Sequence, residues 1–153
     1  MYYERIWEAE HSGGAVESLI FDKMSAFKSV VPRSDQESFT ETFDMMLMGC
    51  ISHRKREKRF YLGYPTVGSG VNFMIHCVQA EVKRMMDEGR RPTKLFIEID
   101  GASDNTAKAF TAFCEHLVLM GFCDVIEIWR LPVGHTHEVR ALPHTATAPH
   151  HLA

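Results

Sequence analysis

The stretch Lys94 to Glu138, KLFIEIDGASDNTAKAFTAFCEHLVLMGFCDVIEIWRLPVGHTHE, decides the fold. An apolar run, Leu95-Phe96-Ile97-Glu98-Ile99, ends in Asp100-Gly101. A second, Val125 to Leu131, opens into Gly134-His135-Thr136-His137-Glu138. Short apolar runs bounded by turn residues read as buried strands. The segment between them carries Ala107, Phe110, Phe113 or Cys114, Leu117 and Val118 at helical spacing; Ser103 or Asp104 can cap it and Gly121 ends it. The unit is strand-helix-strand, and its polar groups gather after both strands. In open α/β sheets the carboxyl ends of the strands are where ligands and catalytic groups sit.

Working outward, Val71, Met74, Ile75, Val78, Val82 and Met85 keep the spacing of a helix whose C-cap is Gly89. Before it, Pro65 to Gly70 is a glycine-rich turn, and the runs Phe43 to Ser52 and Arg59 to Tyr64 read as two strands of a hairpin. Val16, Leu19, Ile20, Met24 and Phe27 predict a helix over Ala15 to Val31, stopped by Pro32, with Arg33 to Thr42 as a loop. Residues 1–14 are polar and end in Ser12-Gly13-Gly14, which reads as a mobile lead-in. The expected division is a lead-in with one helix over 1–42, an α/β domain over 43–138, and a disordered tail over 139–153, VRALPHTATAPHHLA.

The 153 residues are 45% hydrophobic and 24% charged, which fits one ordinary globular domain. A formal charge of -3 argues against a uniformly basic nucleic-acid binder, although a local patch would still serve. Cys50, Cys77, Cys114 and Cys123 show no C-x-x-C spacing and read as buried reduced thiols, which points to an intracellular protein. No basic leader followed by an apolar stretch, and no run long enough to span a bilayer, is present.

Asp100 is the first chemical candidate, because an acid ending an apolar strand stands on rigid backbone at the sheet's carboxyl edge; a helix-capping or turn aspartate in Asp-Gly is the bland alternative. In a parallel arrangement His135, His137 and Glu138 return to the same edge. With Asp104 they offer oxygen and imidazole donors suited to Mg²⁺ or Mn²⁺ or, through the histidines, Zn²⁺. A hydrogen-bonded surface loop explains His-Thr-His equally well. Asp44 is the only acid beside the Phe43 to Ser52 run; it sits at the beginning of that run, where a structural aspartate fits too. Arg54, Lys55, Arg56, Lys58 and Arg59 concentrate positive charge in the hairpin loop. They suit phosphate contacts or a nuclear-import signal, against the commoner reading of a solvated turn that guards an edge strand.

The order strand, Asp-Gly-x-Ser-Asp-Asn, helix, strand, Leu-Pro-Val-Gly-His-Thr-His-Glu resembles an uncharacterised eukaryotic domain of transposon-like genes. Asp100, Gly101, Asp104, Asn105 and the stretch Leu131 to Glu138 carry the resemblance, and that stretch is its specific part. The domain is similar in turn to the ribonuclease H-like fold of transposases and integrases. This implies a mixed sheet with helices, and three metal-binding acids on the first strand, at the end of the fourth and after the fifth. Asp100 matches the second, Glu138 takes the place of the third, and Asp44 is offered as the first. Members continue after the motif with Asp-Ile-Asp and a helix, whereas this chain continues Val139-Arg140-Ala141-Leu142-Pro143. The departure implies a domain truncated after its last strand, with an incomplete acid set, from a reading frame that runs past an exon end.

Two classes of function follow. The first is metal-dependent phosphodiester cleavage or strand transfer with Mg²⁺ or Mn²⁺ by the complete form. The second is a non-catalytic nucleic-acid or protein-binding module, or an inactive transposon remnant; a zinc site at His135 and His137 is a further alternative. The expected partner is DNA or RNA, not a membrane, and the expected location is intracellular, with a nuclear address as one reading of the basic run.

Overall fold

A computed structural model of the chain describes residues 2–24, 30–31, 43–64, 70–99 and 108–130. At its centre is a strand that the sequence disguises. Val16–Lys23 forms β1, and the six residues from Val16 to Phe21 are buried. A strand covered on both faces carries apolar residues at both parities and loses the alternation that marks a half-buried strand. In β1 the pattern is broken further by two buried polar residues, Glu17 and Ser18. The helix expected over Ala15 to Val31 is therefore corrected to a strand over its first half, with β2 (Val30–Val31) further on.

The residues read as a mobile lead-in form helix α1, Tyr2–His11. The other elements are β3 (Phe43–Asp44), β4 (Met46–Ser52), β5 (Glu57–Gly63), α2 (Val71–Asp87), β6 (Lys94–Ile99), α3 (Lys108–Leu119) and β7 (Val125–Arg130). Five strands make one sheet in the order β5-β4-β1-β6-β7, and β2 and β3 make a separate antiparallel pair. β1 runs antiparallel to β4 and parallel to β6, and β6 runs parallel to β7. Three antiparallel strands followed by two parallel additions on the other side of the first strand, each reached through a helix, is the ribonuclease H-like arrangement. Its central strand lies before residue 43, so the sheet reaches into the segment expected to be a lead-in.

The two faces of the sheet are held differently. On one, Leu19, Phe21, Met48, Cys50, Leu95, Ile97 and Ile99 meet Phe73, Met74, Cys77, Val78, Val82 and Met85 of α2, with Phe110 and Cys114 of α3. Fully burying a large apolar side chain contributes about 1.5–3 kcal/mol, so the α2 residues alone anchor that helix. On the other face a small cluster of Ala9, Val16 and Phe96, with Trp129 beside it, sits under α1. Here the fastening is ionic. Arg5 Nη1 donates to the buried Glu98 Oε1 at 2.7 Å, and the guanidinium lies 3.7 Å from the centre of the Trp129 ring.

Both glycines expected to end helices do so. Gly89 and Gly121 each have φ 69, a left-handed conformation that glycine adopts without steric cost. In each, paired backbone bonds close the last turn: Gly89 N to Met86 O with Arg90 N to Met85 O, and Gly121 N to Val118 O with Phe122 N to Leu117 O.

Candidate metal and nucleic-acid site

The parallel strands end together. Phe21 of β1 pairs with Ile99 of β6, and Ile99 pairs with Arg130 of β7. Asp22 follows Phe21 within β1 and is partly buried, so a carboxylate stands at this edge on the central strand. In the chain, Asp100 follows Ile99 directly. Asp100, Asp104, His135, His137 and Glu138 lie outside the described residues. Asp44 is on β3, paired with Val30 in the small sheet, and so is not on the first strand of the five-stranded sheet. Among the described residues there is no group of three or more His, Cys, Asp or Glu side chains that could hold a metal ion.

The basic loop is at the opposite end. β4 runs against β1, so its exit faces the beginning of β1: His53 N donates to Ser18 O, and Ser52 pairs with Glu57 across the hairpin. From Ser18 to Phe21 the strand rises about 10 Å, which already exceeds the physiological screening length of about 8 Å. The charges of the loop are also engaged locally. Lys55 Nζ is 2.6 Å from Glu88 Oε2, Arg56 Nε is 3.0 Å from Glu10 Oε1, and Arg59 binds Glu57 and the buried Glu81. The Arg54 guanidinium packs so closely on Gly14 that an added Cβ would lie 2.8 Å from its Nη2. The loop thus clamps α1, α2 and the sheet together at the end remote from Asp22.

Paired cations hold one of these acids low. Hydrogen bonds from Lys55, then from Arg90, bring the Glu88 carboxyl down to about 2. A depressed folded-state pKa contributes stability that is present above the unfolded value and is lost as pH falls through the folded one, here between about 4.5 and about 2. Lys55→Gln is expected to return Glu88 toward the ordinary glutamate value, seen as an upward shift of its carboxyl midpoint in an NMR titration. A wild-type midpoint already near 4.5 would refute the pairing.

Other reactive groups are sealed in. The four cysteines are free and buried. Burial pushes the Cys77 and Cys114 thiols up to about 12 and Cys123 to about 11. Ser18 Oγ is 2.8 Å from His53 Nδ1, a pairing that would suit a nucleophile, but Ser18 has 0% of its surface exposed. A hydroxyl without access to substrate is a structural hydrogen-bonding group.

Residues 35–139 match the domain of unknown function DUF7869. The chain belongs to that family. No curated protein sequence matches it. Among solved structures, it is similar to the chain of the Mos1 transposase in a paired-end complex with the left transposon end. That similarity has 12% identity and a TM-score of 0.45, over 86% of this chain and 40% of the transposase chain. The DUF7869 chain therefore spans less than half the length of that transposase chain.

The DUF7869 match begins after β1, although β1 lies between β4 and β6 in the sheet. Without residues 16–23 the matched strands of the five-stranded sheet would fall into two unconnected pairs, β4 with β5 and β6 with β7. Asp22 was absent from the candidates because its segment reads as a helix. The signal that could have found it is the likeness of Leu19-Ile20-Phe21-Asp22-Lys23 to Ile97-Glu98-Ile99-Asp100-Gly101: each is an apolar run ending in an aspartate. No helix among the described residues is long and apolar enough to cross a membrane.

Proposed function

We propose that this DUF7869 chain is the core of a transposase-related protein whose complete form cuts or joins phosphodiester bonds with Mg²⁺ or Mn²⁺. One observation carries the reading: the Phe21–Ile99 pairing sets Asp22 on the central strand beside the end of β6, after which the next residue is Asp100. Neighbouring strands lie about 4.8 Å apart, a separation that lets carboxylates on both share one divalent ion. In this reading Asp22 and Asp100 hold the ion, Asp22 taking the first-strand place offered to Asp44, and Asp104, His135, His137 and Glu138 supply further donors. Such an ion acidifies bound water and stabilises a leaving oxygen. The protein's share is to hold the carboxylates on rigid strands and to orient the phosphate.

The test is metal binding by the full chain, followed through Mn²⁺ paramagnetism. Asp22→Asn and Asp100→Asn are each expected to weaken Mn²⁺ binding at least about tenfold in a chain that stays folded, since one of the two strand-borne carboxylates is lost. Asp44→Asn should leave it intact. Unaltered Mn²⁺ binding in Asp22→Asn would remove Asp22 from the site, and nucleic-acid binding independent of metal would favour the non-catalytic module.

A further inference from the structure

Strand β5 is two-sided in an unusual way. Its odd-numbered residues Arg59, Tyr61 and Gly63 face α2 and are partly or wholly buried, with Arg59 and Tyr61 bound to Glu81. Its even-numbered residues leave Phe60 59% and Leu62 65% exposed, and Tyr64, one residue past the strand, is 70% exposed. Phe60 sits opposite Gly49, which offers no side chain to cover it, and Leu62 sits opposite Leu47. β5 is also an end strand of the sheet, paired among the described residues with β4 alone. From Phe60 to Tyr64 it carries no proline and no charge, the devices that usually keep an edge from pairing. An apolar stripe beside a strand that, among the described residues, ends its sheet is a pairing surface.

We infer that the occupant of this edge is β5 of a second copy of the chain, lying antiparallel about a two-fold axis at Tyr61. The side-chain arithmetic selects it. With the axis there, residue i faces residue 122 − i of the other copy, because twice the axis position is 122. Phe60 then faces Leu62 in both copies, Arg59 faces Gly63, and Lys58 faces the Tyr64 ring, so no like charges stand opposite each other. Moving the axis to Phe60 sets Lys58 against Leu62 and leaves Tyr64 beyond the strand facing Arg56, and moving it to Leu62 sets Phe60 against Tyr64 but leaves only residues 61–63 paired within the strand. The axis at Tyr61 seals every apolar member of the stripe and gives Lys58 a ring to lie on. A two-fold contact uses the edge up on both copies, so it stops at a dimer with a continuous ten-stranded sheet, twice the five strands of one copy. The other end strand, β7, presents Glu127 and Arg130 and offers no comparable apolar stripe.

Sedimentation velocity of the full 153-residue chain tests this. A reversible dimer is expected by roughly 100 µM, a concentration that populates a contact with micromolar affinity. Phe60→Glu should weaken the dimer at least about tenfold, because symmetry places two carboxylates in the contact. Its far-UV spectrum should be unchanged, and so should its thermal midpoint at dilutions where the wild type is monomeric. Leu62→Lys should do the same, while Val125→Lys on β7 should leave the dimer intact. A chain with Phe60→Cys and Leu62→Cys should form a covalent dimer on mild oxidation, since the native thiols are buried. A chain that stays monomeric at that concentration overturns the inference. So does a dimer indifferent to both β5 variants, dissociation by Val125→Lys, or open-ended assembly. A fall in thermal midpoint for both Phe60→Glu and Leu62→Lys at dilutions where the wild type is monomeric would show that the chain's own residues cover the stripe, and would overturn it too.

Discussion

Arg5→Ala is expected to destabilise the chain by about 3–5 kcal/mol, the usual cost of removing one partner from a buried ion pair. The Arg5 side chain is 11% exposed and Glu98 0%, and their contact is 2.7 Å. Burying a carboxylate is tolerable only while a cation and hydrogen bonds compensate it. Arg5 is also the body of the contact between α1 and the sheet, stacked over Trp129 and 5.9 Å from the Phe96 ring centre. α1 itself buries only Arg5 and Ala9, and a ten-residue helix is marginal without packing, so that guanidinium is its chief buried fastening. Urea unfolding followed by circular dichroism gives the magnitude. Adding Glu98→Leu to Arg5→Ala should recover much of the loss, because the uncompensated charge is then gone. A loss below about 1 kcal/mol would show that α1 is a surface appendage; the larger loss makes residues 2–11 part of the domain, although the DUF7869 match starts at residue 35.

The same residues explain what the sequence disclosed and what it hid. β6, α3 and β7 were legible because each carries one clear signal: an apolar run with turn residues after it, or helical spacing closed by a glycine in left-handed backbone at Gly121. α2 was legible for the same reason, and the hairpin needed only two runs flanking a polar loop. β1 was not. Its Glu17 is ion-paired with Arg90 at 2.6 Å and accepts a hydrogen bond from Ser52 at 2.9 Å, partners seventy-three and thirty-five positions away that no local pattern announces. α1 was hidden likewise, since what fixes it is an arginine whose acid lies ninety-three positions on. At the candidate site, Asp100 could be found as an acid ending an apolar run, whereas Asp22 required the register of β1 against β6. The basic loop was found as a charge run, but sequence contains no distance. Only the antiparallel course of β4 places it at the far end of the sheet, where ion pairs with Glu10, Glu81 and Glu88 engage it.

Glu81→Ala should have an effect of similar size, again about 3–5 kcal/mol, by the opposite imbalance. Glu81 is wholly buried on α2, where it accepts hydrogen bonds from Arg59 at 3.2 and 3.3 Å, from Arg84 and from the Tyr61 hydroxyl. Removing the carboxylate leaves two guanidinium groups across a partly buried space with Glu57 shared between them and Glu88 beside Arg84. It also strips the acceptor from Tyr61, whose hydroxyl is held strongly protonated by burial and by that bond. Glu81→Gln keeps the shape and an acceptor oxygen but loses the charge, so it should cost less than alanine. If charge governs, the gap between the two variants will be small and both will be strongly destabilising. If shape and hydrogen bonding govern, glutamine will recover most of the stability. Comparing urea midpoints for Glu81→Ala, Glu81→Gln and the triple replacement Glu81→Leu with Arg59→Leu and Arg84→Met separates these. The triple variant should approach the wild type, because an apolar set of similar volume avoids desolvating three charges. A triple variant less stable than Glu81→Ala would mean that the ionic network, rather than the volume it fills, holds α2 against β5.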